Sequence, residues 1–277
     1  MSVFERIVCG IDGSAEAIEA LRQARRLLVP SGLLIAATAF DPAQAMHTGW
    51  DAGAVLVDLE REAHSARAQA EHEIAELEHA ETRILEGGPL AQLVRLAREE
   101  RATLIAVGSH GWSRTAGILL GSVATGLAHE APCPVLVARR AGDIDAFPQT
   151  IVVGADGSPQ SLAAVEAARE VAERLGAAVR VIAARGGKRM KAEGVAAIER
   201  LESIALSGRG ARPPATVASI EWSAESPVDA LVAASDDADL LVLGSRGVHG
   251  IAALGSVSER VVHRARCSVL VVRNEAS

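Results

Sequence analysis

Three stretches of this 277-residue chain recur in the same order, and that duplication limits what it can fold into more than any other feature. Ile7-Val8-Cys9-Gly10-Ile11-Asp12-Gly13-Ser14 returns as Ile151-Val152-Val153-Gly154-Ala155-Asp156-Gly157-Ser158. Leu104-Ile105-Ala106-Val107-Gly108-Ser109-His110-Gly111 returns as Leu240-Leu241-Val242-Leu243-Gly244-Ser245-Arg246-Gly247. Near the end of each half, Cys133-Pro134-Val135-Leu136-Val137-Ala138-Arg139 matches Cys267-Ser268-Val269-Leu270-Val271-Val272-Arg273. A chain built this way folds as two similar domains. We place them at residues 1–141 and 149–277, with the polar stretch Ala141–Gln149, which holds Gly142 and Pro148, as the linker.

Each half alternates short β-branched runs with helical periodicity. Strand one, about Arg6 to Ile11, leads through a turn into a helix with Ile18, Leu21, Ala24 and Leu28 on one face. In the second half Ser158 fits the cap of the matching helix, Pro159 its first position and Gly176 its stop. Strand two is Leu33 to Ala39, matched by Val179 to Ala184. A long charged helix follows in the first half, with Leu59, Ala63, Ala66, Ala70, Ile74 and Leu77 turned inward, and His72 and His79 on its solvated side. Strand three lies around Thr82 to Leu85 and Val217 to Trp222, and the next helices start near Pro89 and Pro227, the latter capped by Ser226. Strand four ends at Gly108 or Gly244, a helix follows Gly121 or Gly255, and strand five closes each half.

Such alternation predicts an α/β fold: two tandem doubly wound domains, each a five-stranded parallel sheet with right-handed crossovers and helices on both faces. Only 2% of residues are aromatic against 49% hydrophobic, so the cores must be Val, Leu, Ile and Ala, as suits strands buried on both faces. The same scarcity removes the stacking platforms that single-stranded nucleic acid needs. A net charge of −7 supplies no electrostatic reason for DNA, RNA or an anionic membrane as partner. Arg22, Arg25 and Arg26 read as one solvated helix face. Cys9, Cys133 and Cys267 lie in or beside apolar runs without CxxC spacing and read as reduced core residues. Glu5 and Arg6 stand where a signal peptide needs its apolar stretch, and no run of about 18 apolar residues occurs. The expected compartment is the cytoplasm.

Ligands of doubly wound sheets bind beyond the carboxyl ends of the strands where strand order reverses; if the order is 3-2-1-4-5, that point lies between strands one and four. The tips of those strands carry Asp12 and Gly108. After Gly108-Ser109-His110-Gly111 come nine residues, then Gly121-Ser122-Val123-Ala124 opening a helix. Glycine lets backbone approach a ligand closely, and the N–H groups of a helix start favour an anion such as phosphate. Ser122 is suited to cap that helix and to offer its hydroxyl to phosphate, with His110 and Arg114 adding positive charge. Glycines after a strand also serve a tight turn and nothing more; the coincident spacing, Gly-Ser pair and facing Asp12 favour phosphate. The chain lacks the Gly-Lys-Ser/Thr of a P-loop and the GxGxxG of a dinucleotide fold.

The pattern Gly-2x-Gly-9x-Gly-Ser after strand four, with Gly-x-Asp-Gly-Ser after strand one, resembles the universal stress protein family. It looks like the ATP-binding branch in the tandem two-domain form, and the likeness runs nearly the whole length. The resemblance implies a HUP-type (adenine-nucleotide α-hydrolase-like) fold and a site in which Asp12 meets the nucleoside. Ala39, at the end of strand two, would meet adenine through its backbone, while Gly108, Gly111, Gly121, Ser122 and Val123 hold the phosphates. The ligand implied is ATP, with AMP or ADP as alternatives and with or without Mg2+. In the second half Asp156, Gly244, Gly247, Gly255 and Ser256 keep their places, but only seven residues separate Gly247 from Gly255. We expect a second, modified site there. The apolar fifth strands, Val135-Leu136-Val137 and Val269-Leu270-Val271, suggest an internal pseudo-dimer of the two halves, as in the tandem relatives, with or without further homodimerisation.

The motifs advertise no efficient catalysis. HExxH, a metal-ligand cluster and Gly-x-Ser-x-Gly are all missing from the sequence. Phosphoryl transfer needs positioned charge and a base, and neither motif supplies a lysine. Asp12 fits a ribose hydrogen bond or a helix-start role better than a magnesium ligand. The reading is a nucleotide-responsive regulator of stress response; a slow ATP-hydrolysing or adenylyl-transferring enzyme, and a scaffold with vestigial sites, are the alternatives. Trp50 and Trp112 stand out by rarity, Trp112 as a cover for the phosphate loop or as packing against the neighbouring helix, and Trp222 reads as partial core.

Overall fold

The computed structural model describes residues 4–43, 52–111, 120–139, 141–184, 217–245 and 254–273. The chain divides into two compact units, Met1–Arg140 and Ala141–Ser277.

The first unit runs β1 (Arg6–Gly10), α1 (Ala15–Leu27), β2 (Leu33–Phe40), α2 (Ala52–Ile74), β3 (Ala80–Glu86), α3 (Pro89–Glu99), β4 (Leu104–Gly108), α4 (Ser122–Glu130) and β5 (Val135–Ala138). Its strands lie in the order β3-β2-β1-β4-β5, and every neighbouring pair is parallel. Helices α1 and α2 contact each other, as do α3 and α4, and the two pairs cover the two faces of the sheet. Ile7, Val8, Leu34, Ile35, Leu104 and Ile105 are wholly buried, so the core is aliphatic as the composition requires.

The second unit runs β6 (Thr150–Gly154), α5 (Pro159–Leu175), β7 (Ala178–Ala184), β8 (Val217–Ser223), α6 (Pro227–Ala234), β9 (Leu240–Gly244), α7 (Ser256–Arg264) and β10 (Ser268–Val272). Its order is β8-β7-β6-β9-β10, again parallel throughout. The stretch matching α2 lies outside the described residues.

Local signals account for several helix ends. Ser14 accepts from Ala17 N to cap α1, Ser158 from Ser161 N to cap α5, and Ser226 from Asp229 N to cap α6. Pro159 and Pro227 occupy first-turn positions where no N–H is missed, and Gly176 ends α5 with φ 77°.

Several elements differ from the sequence expectation. Helix α2 ends at Ile74, so Leu77 lies beyond it, half-buried, and His79 stands in the turn before β3. Strand β3 must begin at Ala80 beside Leu34, and the sheet stops a helix that its own residues would continue. In α1 the buried face is Ala17, Ala20, Leu21, Gln23, Ala24 and Leu27, while Ile18 is only half-buried. Gln23 is fully buried because its amide donates to Glu19 Oε1 (2.8 Å) and to Arg139 O (2.6 Å). Arg22 and Arg25 are not merely solvated: they reach across to Glu73 and Glu76 on and just beyond α2. Phe147, inside the polar linker stretch, is 1% exposed. All three cysteines are buried and unpaired with one another, and burial pushes the Cys9 thiol far up from its ordinary range.

One contact sets the spacing of strands and helices at the carboxyl edge. A Cβ at Gly108 would lie 2.7 Å from the carbonyl carbon of Glu16 and 2.9 Å from Ala17 N. Gly244 repeats this, 2.6 Å from Gln160 and 2.9 Å from Ser161 N. Because the obstacle is helix backbone, it cannot swing aside. Gly108→Ala and Gly244→Ala are each expected to cost roughly 1–3 kcal/mol in urea unfolding. Gly53→Ala, where nothing stands within 4 Å, should be neutral or slightly stabilising.

The Glu100 carboxylate accepts from Arg83 (2.8 Å) and Arg6 (3.0 Å), and the Arg83 bond foremost holds it below the usual carboxylate range. A lowered folded pKa stabilises above the unfolded value, about 4.3, and that contribution disappears as pH falls through the folded one. Glu100→Gln should therefore lose at most about 1 kcal/mol at pH 7 and match the native protein in acid, read from melts at both pH values.

Candidate functional site

The turn after β1 is shaped by its own side chains. Asp12 Oδ1 accepts from Ser14 N (2.9 Å) and Ser14 Oγ (2.6 Å), while Gly13 between them takes φ 85°. A positive φ of this kind is open to glycine without strain. Ser14 Oγ in turn accepts from Ala17 N at 3.2 Å. One hydroxyl thus joins the Asp12 carboxylate to the start of α1.

Across the crevice, β4 passes into Ser109, His110 and Gly111. Ser109 is buried, its N–H donating to Ala138 O (2.9 Å) and its carbonyl accepting from Gly121 N (2.8 Å). That second bond brings the start of α4 back onto the tip of β4. A Cβ at Gly121 would lie 3.5 Å from Ser109 O and 3.6 Å from the Cα of His110. Ser109 Oγ and His110 Nδ1 are 3.1 Å apart. At Gly111 a methyl group would collide with Oδ2 of Asp12. The structure therefore gathers Asp12, Gly108, Gly111 and Gly121 at the point where strand order reverses.

Ser122 does not cap α4. Gly121 takes the cap position, with φ −70° and ψ 157° and no side-chain bond, and Ser122 is the first helical residue, followed by Val123. The same holds for Gly255 and Ser256 at α7. With no side-chain bond from either cap residue, the first N–H groups of each helix suit an anion or solvent.

Ala39 stands near the end of β2. Ile11 N donates to Ala37 O (2.8 Å), and the last β1–β2 pair is Gly10 with Ala37. Peptide groups alternate sides along a strand, so Ala39 turns its N–H and C=O the same way as Ala37, toward β1 and past its end. Thr38, between them, donates from Oγ1 to Ile11 O at 2.9 Å.

The second unit repeats the layout with changes. Asp156 Oδ1 accepts from Ser158 N (3.0 Å), and Gly157 has φ 76°. Asp156 N donates to Ser161 Oγ (3.3 Å), a hydroxyl the first unit lacks at Ala17. Gly244, Gly255 and Ser256 hold the matching strand tip and helix start. Gly247, Arg114, Trp50 and Trp112 lie outside the described residues, whereas Trp222 is half-buried on β8. Among the described residues no three His, Cys, Asp or Glu gather to hold a metal ion, and no helix is long and apolar enough to cross a membrane. A recess of about 560 Å3 opens on the second unit, lined in part by Glu225, Ser226, Asp229, Val232, Arg264 and Arg266. Ser226 (2.6 Å) and then Arg264 (3.2 Å) hold the Asp229 carboxyl below its usual range. Arg266 pairs with Asp236 at 3.0 Å, so the recess is a groove whose charges bind one another.

Comparison with known proteins agrees with this layout. The model of the universal stress protein family matches residues 4–139 and again residues 148–273. A universal stress protein of Mycobacterium tuberculosis is 33% identical over 198 residues, covering 67% of this chain and 66% of the relative. A second from the same organism is 32% identical over 203 residues, covering 69% and 67%. Among solved structures, a universal stress protein from Archaeoglobus fulgidus superposes with a TM-score of 0.75 at 21% identity, covering 98% of this chain and 96% of the other. At that identity it attests the fold. The double match of the family model, with the duplicated glycine-rich turns at matching strand tips, places this chain in the universal stress protein family, in its tandem form.

Proposed function

We propose that the first unit binds ATP, with Asp12 toward the ribose, the Ala39 backbone toward adenine, and Gly108, Gly111 and the Gly121–Ser122–Val123 helix start around the phosphates. The observation that carries this is the meeting of Asp12 with Gly111 and of Gly121 with Ser109 and His110 at one switch point. A carboxylate suits sugar hydroxyls, and the α4 start presents aligned N–H groups to an anion. AMP and ADP would use the same nucleoside contacts with fewer phosphate contacts, and Mg2+ would come with the phosphates. Asp156, Gly244, Gly247, Gly255 and Ser256 form a second, modified site in this reading.

The protein then acts as a cytoplasmic regulator: ligand binding shifts a conformational or assembly equilibrium that partners read. Support for regulation over catalysis is the makeup of the motifs, which pair a carboxylate already bonded to Ser14 with glycines and hydroxyls. Nucleotide-stripped protein should bind ATP at or below millimolar concentration in calorimetry, with or without magnesium; the absence of heat in both would sink the reading. Gly111→Ala should weaken ATP by about tenfold or more, some 1.4 kcal/mol. Its melting should scarcely change, since only the end of the Asp12 side chain stands in the way. Incubated with ATP, the native protein should release ADP or AMP well below about 1 per second, an ordinary enzyme rate.

A further inference from the structure

The two units hold their helix starts against the strand tip by different bonds. In the first, nine residues separate Gly111 from Gly121, and Gly121 N donates to Ser109 O at 2.8 Å. In the second, seven residues separate Gly247 from Gly255, and among the described residues no backbone bond joins Gly255 to Ser245. There Ser258 Oγ donates instead to Gly244 O at 2.9 Å. The matching residue of the first unit is Ala124, buried and without a hydroxyl. The surroundings otherwise agree. Ser245 N donates to Val272 O (2.8 Å) as Ser109 N does to Ala138 O (2.9 Å). Glu259 N donates to Gly255 O (2.9 Å) as Thr125 N does to Gly121 O (2.9 Å). At the helix start itself, the two units differ among the described residues in this bond and in the Ser258 hydroxyl.

We propose that Ser258 is a positioning residue of the second site: its hydroxyl stands in for the Gly121-to-Ser109 backbone bond of the first unit, and keeps the α7 start at the tip of β9, where it takes an adenine nucleotide. The bond resists separation because Ser258 is 7% exposed, and drawing α7 away would leave a buried hydroxyl without its acceptor. It reaches the strand from the third helical residue, and the cap residue Gly255 makes no side-chain bond to the helix start. In the first unit the main chain closes the same gap, through the bond from Gly121 N to Ser109 O.

This role rests on the nucleotide reading above, and the test separates the two. ATP binding is measured by calorimetry, and hydrogen exchange is followed at residues 121–128 and 255–262, on native protein, S258A, and the isosteric pair S258T and S258V. The native chain should bind two ATP and gain protection at both helix starts. S258A and S258V should weaken the second site about fivefold or more, the worth of one net hydrogen bond. S258T should restore it, and the first site should stay unchanged in all variants. The T/V comparison keeps shape constant, so a loss shared by both would be packing and would overturn the hydroxyl's role. Protection gained at 121–128 alone in native protein would overturn the second site. No ATP binding in either unit would sink the nucleotide reading itself.

Discussion

The contact on which the site depends is that of a strand tip against the backbone of a neighbouring helix. Gly108 touches Glu16 and Ala17 closely enough that no side chain fits between, and Gly244 meets Gln160 and Ser161 the same way. This approach brings the first turn of α1, with Ser14 and Asp12 ahead of it, level with the end of β4. Asp12 can then lie against Gly111, and the α4 start can close over Ser109. With a bulkier residue at the strand tip, the carboxylate and the helix start would move apart, and the crevice between them would lose its definition.

Around that contact, each polar group of the turn serves two neighbours. Ser14 Oγ donates to Asp12 and accepts from Ala17 N. Ser109 gives its N–H to β5 and its carbonyl to Gly121. The arrangement is made of short-range bonds anchored on a parallel sheet, which gives it stiffness. That stiffness suits a recognition surface, in which groups must be placed before the ligand arrives.

How far the sequence discloses this varies with the range of the interaction concerned. The parallel sheets, the caps at Ser158 and Ser226 and the stop at Gly176 follow from local chemistry and the alternation of elements. The facing of Asp12 and Gly111 follows from topology once the order is known. Ser122 misleads because a serine at a helix start usually caps it, whereas here the preceding glycine adopts the cap conformation. The length of α2 misleads because nothing after Ile74 breaks a helix; the register of β3 on β2 ends it. Buried Gln23 looks like surface until its acceptor, a carbonyl 116 residues away, is known. Such partners are invisible to any reading confined to neighbours in the chain. Ser258 is of this kind: its hydroxyl acquires a meaning only beside Gly244.

The bond from Gln23 to Arg139 O has a bearing on how the protein is made. Strand β1, made before the other strands of its unit, occupies the middle of its sheet, and one flank waits for β4, whose Thr103 meets Arg6 97 residues later. The last carbonyl that α1 must satisfy comes later still, at the very end of the unit. Until then the nascent chain carries an open strand edge and a buried-to-be amide that lacks its Arg139 acceptor. Pairings this distant in sequence slow folding, so the first half should reach its native state as a unit only after its fifth strand has been translated.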